Sequence, residues 1–228
     1  EESENLTGIK KGQVRSVQLG GYDLIVARTG YTGERISYEL FVHPDKLADL
    51  WNQLMEIGKP LGLKPCGLGA RDSLRIEAGL PLYGHELAGP ENYTISEAGL
   101  SGFVKTYKPW FIGREAYRTQ AENQKRILVR FRFTDKTVRL AHHGDPAMDI
   151  RGKVIGRVTS CAMDKDGWIM GLAMVDIRSA EEGTPLYIYQ NSEKVQLKEP
   201  GKLADGEKIT LPNPAAVISR FPKAEKKS

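Results

Sequence analysis

Residues 66–86 read CGLGARDSLRIEAGLPLYGHE. Gly67 and Gly69 stand at the start of an apolar-periodic run, and Gly79 and Pro81 stop it, so the spacing predicts a helix from about Leu68 to Ala78. Arg71 and Arg75 are one helical turn apart within it, just before Glu77. They sit among Leu68, Ala70, Leu74 and Ala78, a pattern that suits the wall of a cleft better than a plainly solvated face.

Upstream of this helix, QVRSVQL (13–19) and YDLIVAR (22–28) are β-rich and separated by Gly20-Gly21, a hairpin signature. ISYELFV (36–42) reads as a further strand. In PDKLADLWNQLMEIG (44–58), Leu47, Leu50, Trp51, Leu54 and Ile57 recur at helical spacing, with Asp45 near the start and Gly58 expected to close the helix. Downstream, REAYRTQA (114–121) reads as a short third helix. The hydrophobic period then changes from helical to alternating. RILVRFRF (126–133) places Ile127, Val129, Phe131 and Phe133 on one face and Arg130 and Arg132 on the other. KVIGRVTS (153–160), GWIMGLAMVDI (167–177) and TPLYIYQ (184–190) follow, punctuated by DKDG and EEGT. Short strands at regular spacing with turn signals predict an antiparallel β-barrel. The expected fold is therefore α+β: an α+β domain over residues 1–123, a barrel domain over 124–222, and a basic tail at 223–228.

The composition excludes several classes. The chain has 228 residues, 40% hydrophobic and 27% charged, an ordinary globular balance. No apolar run approaches the ~20 residues a membrane-spanning helix needs, and EESENLTGIK has neither the basic start nor the apolar stretch of a secretory signal. Cys66 and Cys161 are the two cysteines, without CxxC spacing, which argues against a disulfide framework or a zinc site and for a reducing, cytoplasmic setting. The net charge of +4 owes three lysines to KAEKKS at the C-terminus, a solvated tail rather than a nucleic-acid arm. RTGYTGE (28–34) lacks the Lys-Ser/Thr of a phosphate loop, and CGLGARD lacks the third glycine of a dinucleotide fingerprint.

RTGYTGERISYE (28–39) and CGLGARDSLRIEAGLPLYGHE together resemble the family headed by the glycine cleavage system T-protein, an aminomethyltransferase. FIGREA (111–116), RGKVIGRVTS (151–160) and MGLAMV (170–175) follow the family's later blocks in order, so the resemblance covers roughly residues 22–190. It implies a tetrahydrofolate-dependent transferase of one-carbon metabolism, taking an aminomethyl group from a lipoyl-bearing carrier protein and releasing ammonia. It also implies a role for three side chains: Glu39 accepting hydrogen bonds from the pterin edge, Arg71 alongside the folate, and Tyr31 as an aromatic wall. Arg75 and Glu77 are expected to be structural.

The sequence departs from the family pattern in three places. GERISYE carries one residue more between its glutamates than the usual spacing, Cys161 stands where the family has glycine, and the family's first segment has no counterpart here. Since the family's catalytic aspartate lies in that segment, no catalytic residue is assigned to this chain, and Asp23 is expected to be an exposed hairpin residue. Possible partners thus include a chain supplying that segment. Two other readings stay open: a folate-dependent O-, N- or S-demethylase using a small methyl donor, and a non-enzymatic folate-binding accessory protein. The cluster-assembly relatives of the latter kind carry a cysteine block where this chain has KPWFIGRE.

Overall fold

The computed structural model describes residues 6–190 and 211–222. The tail expected at 223–228 lies outside the described residues. The chain forms two compact units, Glu1–Leu74 and Arg75–Ser228.

The first unit is built on a three-stranded antiparallel sheet in the order β1-β2-β3: β1 (Val14–Leu19), β2 (Tyr22–Ala27) and β3 (Glu39–Phe41). Gly20 and Gly21 both adopt positive φ (59° and 83°), the geometry of the tight two-residue turn that the right-handed twist of a hairpin favours. The register sets Val17 against Leu24 and Arg15 against Val26, so one sheet face carries Val17, Leu24 and Val42. That face packs with Ile9 and Leu50, which comes from helix α1 (Leu47–Gly58). A 3-10 turn over Pro44–Lys46, holding Asp45, leads into α1.

Gly58 is the last residue of this helix, not a left-handed cap beyond it. It stays right-handed (φ −82°), the chain runs on through a 3-10 turn at Lys59–Leu61, and Gly62 supplies the left-handed stop (φ 85°). Gly58 is there for room: a Cβ on it would lie 2.4 Å from Cδ2 of Leu63. Of the apolar row on α1 only Leu50 is buried.

Helix α2 (Leu68–Glu77) follows, close to its expected limits, and Gly79 turns the chain with φ 74°. The second unit contains helix α3 (Arg114–Glu122) and a closed antiparallel barrel in the order β4-β7-β6-β5-β8-β9. Its strands are β4 (Arg126–Phe133), β5 (Pro146–Met148), β6 (Val154–Met163), β7 (Ile169–Asp176), β8 (Pro185–Ile188) and β9 (Asn213–Ile218). Pairing of β4 with β9, Arg130 opposite Ile218, closes the ring. Val129, Phe131 and Phe133 fill the interior with Val158, Val175, Leu186 and Val217, as the alternation of RILVRFRF requires. Strands β5 and β9 carry no alternation readable in the sequence: β5 is three residues long and β9 contains Pro214.

The outward face of β4 is covered rather than solvated at Leu128 and Arg130. Leu128, Ala162, Leu172 and Met174 form a second cluster with Ile76 and Tyr93, and Arg130, 7% exposed, donates from Nη1 to the Glu77 carbonyl. Leu128 N donates to the Glu97 carbonyl at 2.8 Å, and Arg126 Nε to the Glu97 carboxylate at 2.9 Å. These contacts tie residues 76–97 to the barrel strands within the second compact unit, and the change of hydrophobic period falls near Gln124. Local periodicity reports how each strand alternates, and says nothing of which preceding segment covers the outside of the barrel.

Candidate binding site

RTGYTGERIS is held as a shaped loop from its two ends. At the β2 end Arg28 N donates to the Gln13 carbonyl and Gly12 N to the Arg28 carbonyl, both at 2.9 Å, while Arg28 Nη1 reaches the Ile9 carbonyl at 2.7 Å. Further along, Gly30 lies against Ser37, so closely that a Cβ on it would be 2.4 Å from the serine Cβ. Gly33 takes a positive φ of 83°. Tyr31 is displayed between these two glycines.

Arg71 occupies the first turn of α2 and is exposed. Its guanidinium carbon stands 5.6 Å from the centroid of the Tyr31 ring, a cation–π distance worth about 0.5–1 kcal/mol at an exposed site. Sequences 40 residues apart are therefore brought together as a flat cationic group and an aromatic face. Glu39 opens β3 opposite Ala27 and is exposed. Among the described residues its carboxylate has no hydrogen bond or ion pair, to Arg71 and Tyr31 or to any other residue, so both oxygens are free to accept. Asp23 is an exposed hairpin residue that accepts from Gln18 Nε2 at 3.0 Å. No group of three or more His, Cys, Asp and Glu among the described residues is placed to hold a metal.

Arg75, one turn beyond Arg71, is fully buried in the second unit. Its Nη1 donates to Oε2 of Glu86 at 2.7 Å and its Nη2 to Oγ of Ser160 at 2.7 Å, and the serine in turn donates to the other oxygen of Glu86. Glu86 also accepts from the amide of Leu82 at 2.8 Å. The network closes the segment GLPLYGHE onto β6. Nothing in the periodicity singled out Glu86 or Ser160; the one available signal was an arginine placed in an apolar helical row.

Cys161, the residue at a family glycine position, packs against the barrel interior and accepts from the Ala141 amide at 3.3 Å. Burial pushes its thiol up to about 11, so it is protonated at neutral pH.

The fold and the two sequence motifs that meet at this loop and helix point to one family of proteins. Residues 2–108 match the family model described as the GCVT N-terminal domain. The chain is 41% identical over 177 residues to an aminomethyltransferase of Alkaliphilus oremlandii, covering 75% of this chain and 46% of the relative. It is 38% identical over 214 residues to an aminomethyltransferase of Halothermothrix orenii, covering 92% and 55%. In structure it is similar to the glycine cleavage system aminomethyltransferase T of Bartonella henselae, with a TM-score of 0.73, 24% identity, and coverage of 93% of this chain and 52% of the other. The chain belongs to the glycine cleavage T-protein family, and spans about half the length of the curated relatives it matches.

Proposed function

We propose that this chain supplies part of the tetrahydrofolate site of an aminomethyltransferase of the glycine cleavage T-protein type. The observation that carries the reading is the pairing of Tyr31 with Arg71, the two family motifs meeting in one unit that also carries an unengaged Glu39 carboxylate. The residues suit the ligand. A carboxylate with both oxygens free can accept from the amino and N3–H groups of a pterin edge, as a charge-assisted pair. The Tyr31 ring and the Arg71 guanidinium offer flat surfaces to a flat heterocycle. Tetrahydrofolate supplies the nitrogens that accept the one-carbon unit; the side chains here bind and orient it, and their contribution to rate is positioning. In this reading residues 1–123 are the folate-binding domain, 124–222 the barrel domain, and the aminomethyl donor is a lipoyl-bearing carrier protein in the cytoplasm.

A cavity of which only part is present loses contacts. Each missing hydrogen bond to a charged group forfeits about 1.5–3 kcal/mol, so two or three such losses weaken binding by several orders of magnitude. Titration calorimetry of the 228-residue chain with tetrahydrofolate is expected to show weak binding or none. Adding the half that the relatives possess and this chain does not match should restore it. Glu39→Gln should then weaken it by about tenfold or more, because an amide oxygen and an amide NH2 cannot both accept. Micromolar binding or turnover by the chain alone would refute the reading.

A further inference from the structure

The sheet of the first unit has two unlike faces. Leu24, Val26 and their neighbours are covered by Ile9 and Leu50, whereas among the described residues the opposite face is covered at Ala27 and left open at Val14, Ile25 and Phe41. Register puts Val14, Ala27 and Glu39 in one row of that open face and Ser16, Ile25 and Phe41 in the next. Val14 is 62% exposed, Ile25 48% and Phe41 55%. A depression of about 510 Å³ lies over the second of these rows, edged by Gln18, Asp23 and His43. Apolar centre and polar rim are the anatomy of a protein interface.

The unit is also short of a core. Among its described residues only Ile9, Leu24, Val26, Ala27 and Leu50 are buried hydrophobics. Trp51 and Ile57 of α1 remain 52% and 62% exposed, although they belong to the same apolar row as Leu50. The second face mixes Ser16, Gln18, Asp23 and Glu39 with Val14, Ile25 and Phe41, and its apolar centre is of the kind that a second layer covers. The chain matches about half of its relatives' length, so the relatives possess a comparable length of polypeptide with no counterpart here.

We propose that the open face of the β1–β2–β3 sheet is the seat of that unmatched half, in cis or as a separate polypeptide, with Ile25 and Phe41 as its central anchors. This rests on the family reading above but not on folate binding. A docked segment would also lie beside Glu39, which shares the face, and would complete the surroundings of its carboxylate.

The test is to co-express the 228-residue chain with the unmatched half of the Alkaliphilus oremlandii aminomethyltransferase, without folate, and to measure association by size exclusion and surface plasmon resonance. A one-to-one complex is expected, weakened at least about tenfold by Ile25→Glu and by Phe41→Glu, as for central interface residues. Ile150→Glu, an equally drastic change at a residue 72% exposed on the barrel unit, should leave it intact. Circular dichroism of the uncomplexed variants should match the parent, since neither side chain is buried. Absence of a complex, or a complex indifferent to both variants, overturns the proposal. So does self-association of the chain that Ile25→Glu abolishes, which would make a second copy the occupant. A complex that forms and still fails to bind tetrahydrofolate would sink the functional reading and leave the docking surface standing.

Discussion

Arg75 shows what one residue can commit a segment to. Its guanidinium is buried with Glu86 and Ser160, and every arm of the network is occupied. Removing one partner of a buried pair leaves an uncompensated charge and costs about 3–5 kcal/mol. Arg75→Met should therefore lower unfolding stability in urea by that amount. Adding Glu86→Leu should recover part of the loss, because it removes the stranded carboxylate; a fully additive double variant would show the pair to be uncoupled. Arg75→Lys should not rescue, since an ammonium cannot span Glu86 and Ser160 in the same plane. Cys161 gives a second residue-level prediction. Its thiol is raised above the ordinary value by burial, so the reactive thiolate stays scarce until pH approaches about 11. At pH 8 iodoacetamide should label the exposed Cys66 and spare Cys161 in the folded chain; mass spectrometry showing equal labelling would contradict the buried placement.

At the scale of elements, the barrel strands are drawn together by glycines as much as by bulky residues. Gly171 on β7 faces Cys161 on β6 and Phe131 on β4. A Cβ there would lie 2.7 Å from the Phe131 ring and 2.5 Å from the Ser160 carbonyl oxygen. Neither neighbour is the free end of a flexible chain, so Gly171→Ala should destabilise the barrel by about 1–3 kcal/mol, the usual cost of overpacking. Thermal unfolding within error of the parent would refute this. The elements also show how far pattern reading reaches. The β1–β2 hairpin, α2 and the inward row of β4 follow from local signals: two glycines, a glycine-bounded apolar run, and strict alternation. The end of α1 falls at Gly58 as expected, but the glycine is fixed by its packing against Leu63 and not by a left-handed backbone.

For the molecule as a whole, covalent cross-links play no part in stability: both cysteines are free. The melting temperature should be the same with and without dithiothreitol. Loss of a native disulfide would instead cost about 2–5 kcal/mol and move the midpoint by several degrees. Among the described residues no helix is long and apolar enough to cross a membrane.

What the sequence determined by itself was the inventory: an α+β fold with an antiparallel barrel, and membership of the T-protein family. Each of these is written in short, ordered stretches whose periodicity and glycines act locally. Tertiary structure alone decided the rest. It made Arg71 a partner of the Tyr31 ring 40 residues away, and Arg75 a buried ion-pair member, although the two arginines look alike in sequence. It also covered Arg130 on a strand face that alternation assigns to solvent, and left Ile25 and Phe41 open on one that hydrophobicity would bury. The physical reason is the same in each case. Burial is a property of what arrives from elsewhere in the chain, and no local pattern encodes that arrival.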